Sequence, residues 1–91
     1  MVAPALITSR SSFHAHLRGA LLRVEITEIM RRQLECMQSA TADGRLPLPE
    51  EQEKIDIGPR AVRNLDETDW ELSRVLQELD YAFRHYELLA P

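Results

Sequence analysis

The stretch DETDWELSRVLQELDYAFRHYELLA, residues 66–90, contains neither proline nor glycine and determines the fold class. Its apolar residues recur every three or four positions, which is the spacing of one buried helix face. That face comprises Leu72, Val75, Leu76, Leu79, Ala82, Phe83 and Tyr86. The spacing predicts a helical segment over about 59–90, with the main helix beginning at about Asp66 after a turn or short helix over 59–64.

A second long helix is predicted upstream, over about 12–42. Ser11 and Ser12 are candidate N-caps, and Asp43-Gly44 is a candidate C-terminal stop. The apolar residues of this helix form two stripes that are displaced around the axis by roughly 150°. We interpret the two stripes as contacts with two different neighbours, one of which is a second copy of the chain. The residues predicted for this dimer or second interface are Leu22, Ile26, Ile29, Met30 and Met37.

The predicted architecture is all-α: two long helices form a hairpin through a proline-containing connector. The connector covers about 43–58 and includes Pro47 and Pro49. Residues 1–10 are predicted to be a flexible N-terminal arm, and 11–91 a single helical domain. Because a hairpin of this size buries little apolar surface by itself, we expect two copies to pair into a helical-bundle homodimer.

Composition excludes several classes of function. The chain has 91 residues and a net charge of −4, which disfavours nucleic acid as a direct partner because phosphate binding needs a surplus of Lys and Arg. Its apolar runs are too short to span a bilayer, so no membrane association is expected. Its one cysteine, Cys36, cannot form an internal disulfide, which favours a reducing cytoplasm.

No constellation of catalytic residues is found in the sequence. His14 and His16 are two positions apart, so on a helix their side chains point in nearly opposite directions and cannot share one metal ion. Cys36 lies among apolar residues and is interpreted as a small core residue. The acidic residues of 66–71 lie at the N-terminus of the predicted main helix, where negative charge offsets the helix dipole. We therefore expect a protein that is not an enzyme and that has no cofactor or metal site.

The face of the last helix opposite its core face carries the candidate binding residues. These are Trp70, Arg74, Tyr81, Arg84 and Leu88, which fall within about 80° on a helical wheel. Trp, Tyr and Arg are the residue types that dominate binding energy at protein interfaces. The alternative is that Trp70 and Tyr81 lie partly buried under the connector or are ordinary surface residues. We predict that this face docks on a partner protein, with the three apolar residues as anchors.

In its shape and composition the chain resembles the small helical bacterial anti-activators of LuxR-type quorum-sensing regulators. The resemblance rests on the stretches 22–37 and 70–88 and on no signature motif. It implies a transcriptional regulator as partner, bound at its ligand-binding domain so that its dimerisation or DNA contact is blocked. The alternative function is a helical immunity protein or antitoxin that neutralises a toxin, because such proteins share the same gross features.

Overall fold

The computed structural model describes residues 5–91, and the regular elements in this part of the chain are helical. Five α helices follow one another along residues 5–91: α1 (Arg10–Leu21), α2 (Glu28–Ala40), α3 (Pro49–Glu53), α4 (Ile57–Leu65) and α5 (Trp70–Arg84). Short 3-10 turns follow α2 and α5, at Ala42–Gly44 and Tyr86–Leu88. None of the helices in 5–91 has both the length and the apolar character that crossing a membrane requires.

The predicted single helix over 12–42 is two helices, α1 and α2, separated by residues 22–27. The Thr27 side chain caps the second helix, because its hydroxyl oxygen accepts a hydrogen bond from the Met30 N–H at 3.3 Å. The interruption explains the two displaced stripes: each belongs to its own helix, and both face the same core. Neither proline nor glycine marks this break, so Thr27 was the only local signal for it.

The connector and the last helical segment also differ from the predicted hairpin. The connector contains α3, and α4 begins at Ile57, two residues before Pro59. Pro59 is tolerated there because the first N–H groups of a helix have no partner within the helix. The predicted break before the main helix occurs, but α5 begins at Trp70 rather than at about Asp66, with the Asp69 carboxylate accepting from the Leu72 N–H at 3.1 Å.

The core forms around α5, which packs against α4, α1 and α3, while α1 also packs against α2. Aromatic rings join the first and last parts of the chain. The rings of Phe13 and Phe83 stack with centroids 6.4 Å apart, and Tyr86 meets Phe13 edge-on at 5.2 Å. All three rings are buried. The packing therefore fixes which face of α5 remains in solvent.

Residues 1–4 of the predicted flexible arm lie outside the described residues. Within 5–10, Ile7 is buried in the core, and the Arg10 N–H donates to the Ala90 carbonyl at 2.7 Å. Ser9 forms an isolated bridge with Ala90. This part of the arm is therefore held against the end of the chain through backbone pairing and burial.

A buried carboxylate connects α4 to α5. Asp80 is 6% exposed; its Oδ2 accepts from the Gly58 N–H at 2.8 Å, and its Oδ1 accepts from Arg84 Nε at 2.6 Å. A Cβ atom at position 58 would lie 3.0 Å from Oδ2 of Asp80, so a larger residue there would force the carboxylate to move by a few tenths of an ångström. The Arg84 guanidinium also donates to the Ile55 carbonyl, just before α4. These contacts fix the start of α4 on the side of α5.

Candidate interaction surface

The outward face of α5 leaves three large apolar side chains in solvent. Trp70 is 63% exposed, Tyr81 67% and Leu88 78%, and the last of these follows α5 in the 3-10 turn. Neither Trp70 nor Tyr81 is covered by the connector. Together with Arg74 and Arg84 these residues form the surface that the sequence predicts for partner binding, and we call them the α5 surface.

The two arginines of this surface differ in their surroundings. Arg84 is held by Asp80 and by the Ile55 carbonyl, so its first role is to fasten α5 to the start of α4. Its use as a polar contact with a partner is limited to the part of the guanidinium that still faces solvent. Arg74 is half-buried and lines a groove beside Tyr81. Both arginines therefore belong to the α5 surface, and Arg84 in addition joins α5 to the start of α4.

Tyr81 stands between two grooves. The larger has a volume of about 780 Å³ and the smaller about 400 Å³, and both are lined in part by Gln77 and Tyr81. The smaller groove lies between α4 and α5 and is lined also by Val62. The Tyr81 ring packs against the ring of His85, with centroids 4.5 Å apart. The α5 surface is thus a ridge with a depression on each side.

The predicted second interface is largely internal. Ile26, Met30 and Met37 are buried in the core of the chain itself, so they are not available to a second copy. Only Leu22 and Ile29 of that set remain exposed. The physical reason is the break at residues 22–27, which lets α2 turn its apolar stripe onto the core. The stripe that motivated the homodimer is therefore mostly intramolecular packing.

The loop between α1 and α2 exposes Leu22, which the sequence analysis assigned to the second interface, and also Val24, which it assigned to no interface. Val24 is 93% exposed and Leu22 84%. Between them, Arg23 forms an ion pair of 2.5 Å with Asp69, which directly precedes Trp70, and a second ion pair of 3.0 Å with Glu25. The Arg23 hydrogen bond is the main cause that lowers the pKa of Glu25. The ion pair with Asp69 fastens the loop to the start of α5. The sequence analysis did not identify the loop because it predicted a continuous helix over these residues.

The remaining candidate residues have structural partners. His14 Nε2 lies 3.0 Å from the Tyr86 hydroxyl, and His16 Nδ1 lies 2.8 Å from the Ser12 carbonyl oxygen. Cys36 is half-buried against the core. Asp66 accepts a hydrogen bond from the Ser73 hydroxyl at 2.5 Å. Within residues 5–91, no three His, Cys, Asp or Glu side chains are grouped so that they could hold a metal ion.

The environment of His14 predicts a dependence of stability on pH. Burial is the main cause that lowers its pKa below the ordinary 6.5, and the charge of Arg18 lowers it further. Below about pH 6.5 the unfolded chain therefore binds more protons than the folded protein. We expect this contribution to the free energy of unfolding to be present above pH 6.5 and to be lost as the pH falls through the lowered pKa.

Urea unfolding at pH 7.5 and at pH 5.5 measures this dependence. The His14→Gln variant should lose less stability over that interval than the wild-type protein. Leu46→Ala, which changes a half-exposed side chain without a titratable group, should lose as much as the wild type. Equal losses in the wild type and in His14→Gln would contradict the prediction.

The comparison with protein families identifies the class of protein. A family model named Tsi6 matches residues 23–85, which include α2 to α5 and all of the α5 surface except Leu88. No curated protein and no solved structure is significantly similar to the chain. Tsi6 is a family of type VI secretion immunity proteins, so the resemblance to LuxR-type anti-activators is wrong, and with it the roles in quorum sensing and transcription regulation.

The alternative function, a helical immunity protein that neutralises a toxin, is confirmed by this match. An immunity protein acts by binding a toxin, which also supports the prediction of a protein partner. The match covers 63 of the 91 residues. The chain therefore belongs to the Tsi6 family of type VI secretion immunity proteins.

Proposed function

We propose that this immunity protein neutralises its toxin by docking the α5 surface on it and covering the toxin's working surface. Trp70, Tyr81 and Leu88 act as apolar anchors, and Arg74 supplies a polar contact. Neutralisation by this mechanism requires binding alone, so the protein needs no catalytic residue, cofactor or metal. The proposal places the encounter in the cytoplasm, in keeping with the single Cys36.

The observation that carries the proposal is the contrast between the two faces of α5. Its inner face is fully buried at Leu76, Leu79 and Phe83, whereas its outer face leaves an indole, a phenol and a leucine mostly in solvent. Large apolar side chains that are exposed along one face of a helix are typical of a binding surface. Aromatic anchors of this kind supply most of the binding energy at protein interfaces.

The geometry of the ridge supports docking into a cleft of the toxin. Trp70 and Tyr81 are eleven residues apart, about three helical turns, so both project from the same side of α5, as the anchors of a helix that docks in a groove do. The depressions beside Tyr81 can in turn receive side chains from the toxin.

The homodimer and the helical-bundle pairing stay predictions, which now rest on the exposed Leu22 and Ile29 alone.

Replacing Trp70 or Tyr81 by alanine tests the proposal. We expect each change to weaken binding of the cognate toxin, the one that this protein neutralises, by about thirtyfold. The reason is that an aromatic anchor buried in the complex contributes roughly 2 kcal/mol to binding. The variants should also fail to protect cells that express the toxin. The melting temperature should stay within a few degrees of the wild-type value, because both side chains are exposed.

Leu46→Ala is the matched control, since it removes a half-exposed apolar side chain from the connector, away from α5. Its affinity for the toxin should equal that of the wild-type protein. If Trp70→Ala and Tyr81→Ala melt at lower temperature while their folded fraction binds normally, the α5 surface stabilises the fold and the interface lies elsewhere.

A further inference from the structure

The two end segments of the described chain, residues 5–9 and 86–90, are held together against the end of α5. Ser9 and Ala90 form a bridge, and the Arg10 N–H donates to the Ala90 carbonyl at 2.7 Å. The Arg10 guanidinium lies over the Tyr86 ring, with its carbon 5.1 Å from the ring centroid. The position of one segment therefore depends on the other.

These end segments complete the larger groove beside Tyr81. Gln77, Tyr81 and Ala82 of α5 form one side of the groove, and Ala5, Ile7 and Leu89 form the other. Ala82 is buried, so its small side chain gives the groove depth. The match to the Tsi6 family runs from residue 23 to residue 85, so the α5 side of the groove lies within it and the other side is added by the end segments.

We infer that the end segments are part of the toxin-binding surface, and that the groove they complete receives an apolar side chain from a toxin of net positive charge. The inference rests on the proposed function, because the groove is continuous with the α5 surface: Tyr81 and Leu88 belong to both. An apolar anchor suits the groove, since most of its lining residues outside α5 are aliphatic.

The charge of the chain indicates the net charge of the toxin. Residues 46–91, which contain α5 and one end segment, carry eleven acidic and five basic residues, and the whole chain has a net charge of −4. Complementary net charge attracts a partner over long distances and favours encounter. A toxin of net positive charge is therefore the complement of this chain, while the groove itself is lined by both a cation, Arg74, and a carboxylate, Glu78.

Such a groove also selects among toxins. Because of its depth and width, an apolar pocket binds two anchors that differ by one methylene group with affinities that differ by tenfold or more. Because residues 5–9 and 86–90 set one side of the groove, the end segments are specificity-determining elements in addition to the α5 surface.

Filling the groove tests the inference. Ala5 is exposed, so Ala5→Trp should fill the groove with an indole without opening the core. Leu89→Ala, which widens the groove, is a second variant that does not depend on tolerance of a large side chain. We expect Ala5→Trp to weaken binding of the cognate toxin at least tenfold, and Leu89→Ala to weaken it severalfold.

Leu46→Trp is the matched control for Ala5→Trp and should bind within about twofold of the wild type; Tyr81→Ala is measured alongside. If Tyr81→Ala weakens binding while Ala5→Trp and Leu89→Ala bind normally, the end segments are outside the interface and only this inference fails. If Tyr81→Ala also binds normally, the proposed function fails and the inference with it. The association rate should fall as salt is raised, because salt screens opposite charges; a rate that rises with salt or does not change would exclude a toxin of net positive charge.

Discussion

Replacing Phe83 by alanine is expected to lower the free energy of unfolding by about 3–5 kcal/mol. The Phe83 ring is completely buried and stacks on the Phe13 ring of α1, with centroids 6.4 Å apart. Its removal would leave a cavity where α1 meets the end of α5, and the neighbouring rings cannot fill it without moving a helix. Since a small domain has a total stability of about 5–15 kcal/mol, this change would take a large share of it.

Urea unfolding followed by circular dichroism measures the loss. Leu46→Ala is the control, and as a surface change it should shift the free energy of unfolding by about 0.5 kcal/mol or less. A loss below about 1 kcal/mol for Phe83→Ala would mean that the packing of α1 on α5 contributes little to stability. It would also mean that the end segments, which lie beside the same rings, are not fixed by the core.

Replacing Asp80 by alanine is expected to cost about 2–4 kcal/mol of stability. The change removes both the acceptor of the Gly58 N–H and the ion-pair partner of Arg84. The buried N–H would then lack a partner, and an unsatisfied buried polar group is expensive. The Arg84 side chain is 41% exposed and regains water in part, which keeps the loss below that of a fully buried ion pair.

Asp80→Asn retains one acceptor oxygen and should therefore lower the free energy of unfolding by less than Asp80→Ala does.

A double-mutant cycle of Asp80→Ala with Gly58→Ala measures the coupling between the two positions. In the wild-type background the new Cβ would meet the Asp80 carboxylate at 3.0 Å, and this close contact is relieved once the carboxylate is gone. The cost of Gly58→Ala should thus be smaller in the Asp80→Ala background; identical costs would show that the two positions are not coupled.

Toxin binding offers an independent readout for Phe83→Ala. Phe83 is buried and does not belong to the α5 surface, so the folded fraction of this variant should still bind the toxin, as long as α5 keeps its place. The α5 surface variants should show the reverse, with normal stability and weakened binding. This separation distinguishes residues that hold the surface in place from residues that contact the partner.

Local sequence patterns predicted the all-α class and the core face of α5. The spacing of Leu72, Leu76, Leu79 and Phe83 is a property of one continuous stretch, and the burial of those residues follows it directly. The same stretch also predicted which side of α5 would carry Trp70 and Tyr81. Whether those side chains would be covered by the connector could not be predicted, because that depends on where a distant segment packs.

The arrangement of the first half of the chain depended on tertiary packing. The two apolar stripes were visible in the sequence, but one long helix between two neighbours and two helices on one core give the same pattern. Packing favours the second, because the loop at residues 22–27 lets Met30 and Met37 join the core that Phe13 also occupies.

The sequence by itself determined the helical class and the inner and outer faces of α5, because both are local properties. Only the tertiary structure decided the roles of Asp80, Arg84 and the end segments. The burial of Asp80 depends on Gly58, which is 22 residues away, and the groove beside Tyr81 depends on a bridge between Ser9 and Ala90. Partners that are distant along the chain leave no periodic signal, so their contacts arise only when the chain folds.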